Sequence, residues 1–279
     1  MDAAPLRFGQ YPPPDRVLLH LSDTHFGTEQ PPVVEALEAL VRARRPDLAV
    51  HSGDITQRAK PAEFAAAQAF CRRLAVPQLL ALPGNHDIPL FDLATRALRP
   101  YARHLQAFGP RLEPLLDTPE FLVLGVNTTR PWRHKHGEVS PAQVEQVSLR
   151  LRRAARSQLR VVVTHQPAAV ARPEDAHDRL RGGEAALRAW AAAGADLVLG
   201  GHIHLPYVLE WPGPRRAWVV QAGTAVSSRV RHGTCNSVNL VEWRAPRGRE
   251  PRRCLLERWD YDAGTGAFAM AAERALRLD

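Results

Sequence analysis

Residues 79–88 read Leu-Leu-Ala-Leu-Pro-Gly-Asn-His-Asp-Ile, and this stretch indicates how the chain is built. Its apolar run is short enough for a buried strand, and a Pro-Gly pair ends it. Three side chains that bind metal or transfer protons follow at once: Asn85, His86 and Asp87. The stretch therefore predicts a strand that carries chemical groups at its carboxyl end.

Four other places repeat this design, an apolar run followed directly by polar side chains. They are residues 18–25, 48–54, 161–165 and 197–204. Open sheets with helical crossovers place their functional loops at the carboxyl ends of strands. We therefore expect the five polar segments to lie together.

The first half alternates apolar strands with segments of helical spacing, which predicts parallel strands joined by helices. The predicted strands are residues 17–21, 48–52, 78–82, 121–126, 160–164 and 197–199. The predicted helices are residues 31–44, 61–74, 140–157 with Ser140 as N-cap, and 184–193. Residues 89–119 predict a peripheral layer or partial lid of helices and proline-broken loop.

After His204 the pattern changes to strands separated by Pro, Gly and Arg turns, with no helices between them. These strands are residues 207–211, 217–221, 237–243 and 254–261, and they predict an antiparallel second half. The 279 residues contain no low-complexity linker, so one domain over residues 17–262 is expected after a proline-rich tail, residues 1–16. Residues 263–279 have helical spacing and predict a C-terminal helical segment that packs on the domain or on a partner chain in a homodimer.

The composition, 45% hydrophobic and 24% charged, is that of an ordinary globular protein. No apolar run approaches the roughly 18 residues of a membrane span, and the N-terminus lacks the features of a secretory signal, so a cytoplasmic location is expected. Three widely spaced cysteines, Cys71, Cys235 and Cys254, fit reduced thiols. The net charge of +8 fits an arginine-rich composition or an anionic substrate. Nucleic acid is not favoured as a partner, because no basic block with interleaved aromatic residues stands out in the sequence.

The polar segments carry seven oxygen and nitrogen donors and no sulfur, a set that suits Mn, Fe, Zn or Co. Two pairs are spaced i and i+2, which on an extended strand end aims both side chains the same way. Seven ligands are too many for one ion and fit two divalent metal ions sharing one carboxylate. The candidate ligands are Asp23, His25, Asp54, Asn85, His165, His202 and His204.

The polar segments form five blocks in this order: Asp23-x-His25, Gly53-Asp54, Gly84-Asn85-His86-Asp87, His165 and Gly201-His202-x-His204. The order of these blocks resembles the calcineurin-like metallophosphoesterase family, and within it the bacterial cyclic-nucleotide-phosphodiesterase-like branch. The resemblance implies an α/β fold, a four-layer αββα sandwich of two mixed β-sheets flanked by helices. It also implies a metal-dependent phosphoric ester hydrolase with two metal ions, Mn or Fe being favoured.

Carried over residue by residue, the resemblance implies that Asp54 bridges the two ions and that His86 is catalytic. One ion would be held by Asp23, His25, Asp54 and His204, and the other by Asp54, Asn85, His165 and His202. His86 would stabilise transition-state charge or protonate the leaving oxygen.

One position departs from the family pattern. Many phosphatase relatives have a second aspartate three residues after the bridging one, where it orients the catalytic histidine, and this chain has Gln57. A neutral amide cannot raise imidazole basicity as a carboxylate does. Either Asp87 or a backbone carbonyl is left to orient His86.

The remaining histidines are expected to be structural. His20 and His51 alternate with apolar residues, so we expect them in the core or in contact with the metal ligands. His104, His177 and His232 are expected at the surface. The loop at residues 129–137 carries basic residues from Arg130 to His136. The simplest expectation is that these charged side chains are exposed to solvent. The loop's alternative role is substrate contact, with Trp132 stacking on a base, and Arg58 is a second candidate for phosphate binding.

Three functions compete. The leading one is a dinuclear phosphodiesterase for a small phosphodiester, with a 3′,5′-cyclic nucleotide as first candidate. The second is a phosphodiesterase or pyrophosphatase for a nucleotide-linked lipid precursor or nucleic acid. The third is a non-catalytic scaffold of the same fold, and the intact ligand set with His86 argues against it.

Overall fold

The computed structural model describes residues 16–213 and 215–279. The proline-rich tail that we predicted at residues 1–16 therefore lies outside the described residues, apart from Arg16, which begins the first strand.

The described chain forms two six-stranded sheets and six α-helices. The strands are β1 (Arg16–Leu21), β2 (Leu48–His51), β3 (Gln78–Ala81), β4 (Leu115–Asp117), β5 (Phe121–Gly125), β6 (Leu159–Val163), β7 (Leu197–Gly200), β8 (Tyr207–Trp211), β9 (Ala217–Gln221), β10 (Ser237–Trp243), β11 (Arg253–Asp262) and β12 (Ala267–Arg277). The helices are α1 (Pro31–Arg44), α2 (Pro61–Leu74), α3 (Leu93–Leu98), α4 (Ala102–Phe108), α5 (Pro141–Arg153) and α6 (Gly183–Ala193).

Both sheets are mixed. The first has the order β12-β11-β10-β1-β2-β3, with β1 to β3 parallel and β10 to β12 antiparallel. The second has the order β4-β5-β6-β7-β9-β8, with a parallel centre and antiparallel edge strands. The predicted antiparallel second half is confirmed for β8, β10 and β11, but β9 pairs with β7 in parallel.

The sheets pack face to face and helices cover both outer faces. Leu18 and Val50 of the first sheet meet Val161 and Leu199 of the second in the central core. Helices α1 and α2 pack on the other face of the first sheet, and α5 and α6 on that of the second. The predicted αββα sandwich is confirmed.

Local sequence signals place the helices. Helices α1, α2 and α5 each begin with proline in the first turn, where the missing N–H costs no hydrogen bond. The Ser140 hydroxyl accepts from Gln143 N–H at 3.2 Å, and the Gln143 side chain accepts from Ser140 N–H at 2.9 Å. This capping box confirms the predicted start of α5, which ends at Arg153 rather than at residue 157.

The prediction of a C-terminal helical segment at residues 263–279 is wrong. Strand β12 occupies this stretch and pairs antiparallel with β11 across a turn in which Gly266 has φ +65°. Near its ends Phe268, Leu276 and Leu278 are buried, with exposed residues between them. The helix propensity of its alanines is a weak preference that strand pairing overrides, so the segment belongs to the first sheet.

The predicted peripheral layer at residues 89–119 consists of α3, α4 and β4, and β4 was not predicted. Helix α4 packs on α2, where the Gln68 side chain donates to the Ala107 carbonyl at 2.8 Å. The expectation that His104 lies at the surface is wrong. Its ring is fully buried between Phe64 and Phe108 because α4 turns it towards α2.

The three cysteines are free. Within residues 16–213 and 215–279, no helix combines the length and the apolar character needed to cross a membrane.

A buried ion pair joins the two sheets at the end opposite the polar loops. Arg252, just before β11, donates from Nη1 and Nη2 to the two Asp196 carboxylate oxygens, both at 2.6 Å. Asp196 precedes β7. Asp196 is 0% exposed and Arg252 is 3% exposed. Arg252 also donates to the carbonyls of Gln158 and Arg156 at 2.7 and 3.1 Å.

We expect Arg252→Ala to lower the free energy of unfolding by about 3–5 kcal/mol, because the buried Asp196 carboxylate loses both 2.6 Å hydrogen bonds and keeps only Arg160 N–H and the more distant Arg215. Urea denaturation measures the change. Arg215→Ala is the matched control: Arg215 Nη2 lies 3.5 Å from the same carboxylate, with the side chain 25% exposed. Its loss should cost about 1 kcal/mol or less. Equal losses in the two variants would contradict this role of the buried pair.

Candidate metal centre

The loops after β1, β2 and β3 of the first sheet meet those after β6 and β7 of the second. Asp23 N–H donates to the Gly53 carbonyl and His25 N–H to the Asp54 carbonyl, both at 3.0 Å. Across the sheets, His202 N–H donates to the Asp23 carboxylate at 3.0 Å. The polar loops therefore lie together, as the strand ends predict.

Three predicted ligands form a first group, in which one ligand atom from each lies within 4.8 Å of the others: Asp23, His25 and His204. The Nε2 atoms of His25 and His204 are 3.1 Å apart. Asp23 Oδ1 lies 3.3 Å from His204 Nε2.

A second group with the same spacing contains Asp54, His165 and His202. His165 Nε2 lies 3.2 Å from both Asp54 Oδ1 and Asn85 Oδ1. The other Asp54 oxygen, Oδ2, is 3.7 Å from His25 Nε2 of the first group. Asp54 thus lies between the groups, and the structure brings all seven candidate ligands together.

When the rings are neutral, several ring nitrogens of this cluster face its oxygens as acceptors. His165 Nδ1 donates to the Ser52 carbonyl at 2.9 Å, so in the neutral ring the lone pair is on Nε2, facing two oxygens. His204 Nδ1 contacts the Arg229 carbonyl in the same way. Buried His25 Nδ1 and both His202 ring nitrogens have no hydrogen-bond partner in the described part of the chain. Converging lone pairs of oxygen and nitrogen fit divalent cations.

Burial and charge set the protonation of the cluster. Burial lowers the pKa of His25 to about 3, which keeps its ring neutral, as a metal ligand must be. Burial raises the pKa of Asp23 and Asp54, but nearby histidines, His204 and His165 respectively, outweigh it and hold both carboxylates ionised. Burial lowers the pKa of His165, whereas the Asp54 carboxylate raises it, with a net rise to about 9. A proton and a metal ion would compete for that site.

Our reason for expecting the i, i+2 pairs to converge is wrong, although they do converge. Strands β1 and β7 end at Leu21 and Gly200, before the pairs begin. Instead, five of the candidate ligands have left-handed backbone, which changes the direction of their side chains and costs about 1–2 kcal/mol per residue. Their φ angles are Asp23 53°, His25 41°, Asp54 52°, His202 74° and His204 55°.

His86 lies against the cluster, with its ring edge-on to that of His25 at a centroid distance of 4.8 Å. Its N–H donates to Asp54 Oδ1 at 2.8 Å, and its Nδ1 is 2.9 Å from the Gln57 carbonyl. Of the two alternatives, the backbone carbonyl therefore orients His86. Asp87 instead accepts from Thr56 N–H and Gly84 N–H, both at 2.8 Å.

The other predicted candidates occupy varied positions. His20 and His51 are buried, as expected, and contact Ser52 and Thr24. Arg58 stacks over the Phe91 ring at 5.3 Å and lines a neighbouring pocket.

In the basic loop, the Arg130 guanidinium is held by Asn127 O and Gln143 Oε1, both at 2.9 Å. Trp132 is 74% exposed. His134 and Lys135 line the cleft that opens over Asp54 and His86.

Several cleft residues escaped sequence reasoning, among them Asp178 and Arg229. Asp178 lies 2.6 Å from Lys135 Nζ and 3.8 Å from His202 Nε2. Arg229 belongs to the connection between β9 and β10 and lines the cleft. Neither stands at the end of a predicted strand, so the pattern that revealed the ligands gave no signal for them.

The family model described as calcineurin-like phosphoesterase matches residues 17–206. The chain belongs to the calcineurin-like phosphoesterase family. Two curated relatives are similar to it in sequence. A probable cyclic nucleotide phosphodiesterase of Rhodococcus erythropolis is 26% identical over 262 residues, 88% of this chain and 80% of that protein. A cAMP/cGMP dual specificity phosphodiesterase of Mycobacterium tuberculosis is 28% identical over 218 residues, 71% of this chain and 65% of that protein.

Solved structures share the fold of this phosphoesterase. A dimetal phosphatase from Danio rerio superposes with a TM-score of 0.65 at 12% identity, over 95% of this chain and 100% of that one. A purple acid phosphatase from yellow lupin, Lupinus luteus, gives 0.68 at 12% identity, over 95% of this chain and 54% of that one. These neighbours support the fold, and the family match identifies the chain as a metal-dependent phosphoric ester hydrolase.

In this phosphoesterase, Gly84→Ala should weaken metal binding at least about tenfold and lower turnover. A Cβ at Gly84 would lie 2.1 Å from both Asp54 N and Asp54 Oδ1, so the carboxylate between the two groups must move. Gly213→Ala is the control, because its Cβ would meet Arg215 O at an ordinary 3.5 Å. Titration with Mn²⁺ checks both. Unchanged metal affinity in Gly84→Ala would contradict the tight fit around Asp54.

Proposed function

We propose that this hydrolase uses two divalent metal ions to cleave a small nucleotide phosphodiester, with a 3′,5′-cyclic nucleotide as the leading substrate. The observation that carries the proposal is the pair of ligand groups on either side of Asp54, with His86 beside them. The names of the two curated relatives support a diester rather than a monoester.

The donor groups divide naturally between two ions. One ion would be held by Asp23, His25, Asp54 and His204, and the other by Asp54, Asn85, His165 and His202. Mn²⁺ or Fe is favoured over Zn²⁺ or Co²⁺ by the resemblance alone. When bound, such ions supply Lewis acidity at the phosphate and lower the pKa of an attacking water.

The protein groups supply position and proton control. The Gln57 carbonyl fixes the His86 ring through Nδ1, which leaves Nε2 for the substrate. From there His86 stabilises charge on the phosphate in the transition state or donates a proton to the leaving oxygen. Ser52 and Arg229 carbonyls fix the rings of His165 and His204, so that each presents one nitrogen to the centre.

We expect Asp54→Ala and His86→Ala to lose activity for different reasons. Asp54→Ala removes the shared carboxylate and should lose both metal and turnover. His86→Ala should keep its metal and lose on the order of 10²-fold in kcat. Elemental analysis of Mn²⁺-loaded protein, with steady-state kinetics, separates the two effects.

The leaving group distinguishes the two roles of His86. A p-nitrophenolate needs no proton, so an equal loss with p-nitrophenyl and alkyl esters assigns charge stabilisation. A larger loss with alkyl esters assigns proton donation. Near-normal turnover of either variant would contradict its assigned role.

The basic loop offers a contact for the nucleoside. His134 and Lys135 line the cleft, and the exposed Trp132 ring is available to stack on a base. Trp132→Ala should raise KM for a cyclic nucleotide about tenfold, the scale of base stacking, and affect bis-p-nitrophenyl phosphate much less. Steady-state kinetics with both substrates check this. Equal changes would argue against base contact.

One observation favours the second candidate, a nucleotide-linked lipid precursor. Phe91, Leu93 and Leu98 are 77%, 71% and 80% exposed on the segment that follows His86. Phe91 also stacks with Arg58, which adjoins the residue that orients His86. Apolar side chains beside a phosphate cleft suit a substrate with an acyl chain.

A substrate panel on Mn²⁺-loaded protein tests the proposal. It contains cyclic nucleotides, bis-p-nitrophenyl phosphate, p-nitrophenyl phosphate, a nucleotide-linked lipid precursor and single-stranded DNA. The proposal predicts the highest kcat/KM for a cyclic nucleotide. If monoesters are turned over far faster than any diester, the proposal is wrong. If the lipid-linked substrate or DNA is preferred, the alternative substrate class is favoured. The cytoplasmic location and a homodimer also stay predictions, which cell fractionation and sedimentation test.

A further inference from the structure

The lysine and arginine side chains that line the cleft differ in their partners. There are three among the described residues: Lys135, Arg229 and Arg231. Lys135 Nζ lies 2.6 Å from Asp178, and Arg231 Nη2 lies 2.8 Å from Asp175. A carboxylate therefore offsets each of these two charges.

Arg229 has a neutral partner instead. Its Nη1 donates to Gln57 Oε1 at 2.8 Å, and no carboxylate of the described residues forms an ion pair with it. The side chain is half-buried in the cleft wall. An amide fixes the direction of a guanidinium without offsetting its charge, so Arg229 keeps a full positive charge at the cleft surface.

The backbone on both sides of this contact supports the reactive groups. The Gln57 carbonyl orients His86, and the Arg229 carbonyl accepts from His204 Nδ1. Thr224 Oγ1 also donates to the Arg229 carbonyl at 3.1 Å, and Arg229 N–H donates to Ser227 Oγ at 3.3 Å. Arg229 is therefore anchored between the proposed catalytic histidine and a proposed metal ligand, beside the cleft in which the proposed function places the substrate phosphate.

We propose that Arg229 binds a non-bridging oxygen of the substrate phosphate, and that Gln57 is a positioning residue that holds the guanidinium without neutralising it. This inference rests on the proposed function. It gives a reason for a neutral residue at position 57: an aspartate or glutamate there would pair with Arg229 and weaken its attraction for an anion. The ligand class is a phosphate ester anion, with inorganic phosphate as its simplest probe.

Two variants test the charge separately from the contact. Arg229→Met removes the guanidinium, whereas Gln57→Glu keeps a partner for it and offsets its charge. We expect both to raise KM for bis-p-nitrophenyl phosphate by about 10-fold or more, the scale of a hydrogen bond to a charged group, with a smaller change in kcat. The dissociation constant of inorganic phosphate, measured by calorimetry on Mn²⁺-loaded protein, should rise in parallel.

Arg231→Met is the matched control, because it removes the same unit of charge from the cleft, while Arg231 itself is engaged by Asp175. If Arg229 acts by direct contact with phosphate, Arg231→Met should change both constants less than about threefold. Metal content is measured for every variant. If the Arg229–Gln57 contact only holds the loops together, Gln57→Glu preserves it as an ion pair and phosphate binding stays at the parent value. That result, an equal effect of Arg231→Met, or loss of metal from both test variants would overturn the proposal.

The phosphate measurement separates this inference from the proposed function. If the parent protein turns over no diester, the proposed function fails, while weaker phosphate binding in Arg229→Met and Gln57→Glu still supports the role of Arg229. If diesters are turned over and both variants bind phosphate like the parent, the role of Arg229 fails alone.

Discussion

The carboxylate of Asp54 is the constraint on which the site depends. One of its oxygens lies 2.8 Å from His86 N and 3.2 Å from His165 Nε2, and the other lies 3.7 Å from His25 Nε2. These partners come from three different loops and from both sheets. The two sheets must therefore present the carboxyl ends of β1, β2, β3 and β6 at one point, which explains why the sandwich packs with these ends aligned.

Holding the carboxylate there costs conformational energy, and the surrounding hydrogen bonds offset it. Asp54 and four other candidate ligands have left-handed backbone, which the neighbouring loops must over-determine. Asp87 contributes directly, because it accepts from Ile55, Thr56 and Gly84 N–H groups and so ties the loop after β2 to the loop after β3. Gly84 leaves the space that the Asp54 carboxylate occupies. The same neighbourhood orients His86 through the Gln57 carbonyl, so the site and its support share one piece of backbone.

Sequence reasoning succeeded where local chemistry decides the structure. Short apolar runs that end in polar residues located the site strands, and the resemblance supplied the sandwich. Apolar spacing located α1, the first-turn proline located the start of α2, and the Ser140 N-cap located that of α5. It failed where tertiary contacts decide. The alanine-rich C-terminus reads as a helix, but pairing with β11 makes it a strand. His104 carries no pattern that separates a buried from an exposed ring, and Arg229 reaches the cleft only because β9 and β10 belong to different sheets. The left-handed backbone of five ligands was also missed, although Asp and His are enriched at positive φ, because that enrichment is too weak to locate single positions.

We propose that the seven donors hold two ions, with Asp54 between them. Anomalous diffraction from crystals of Mn²⁺-loaded protein tests it most directly, because manganese atoms are located without reference to the protein contacts. We expect two anomalous peaks, one among Asp23, His25 and His204 and one among Asn85, His165 and His202, each in contact with Asp54. A single peak at saturating Mn²⁺, or two peaks of which one does not contact Asp54, would contradict it.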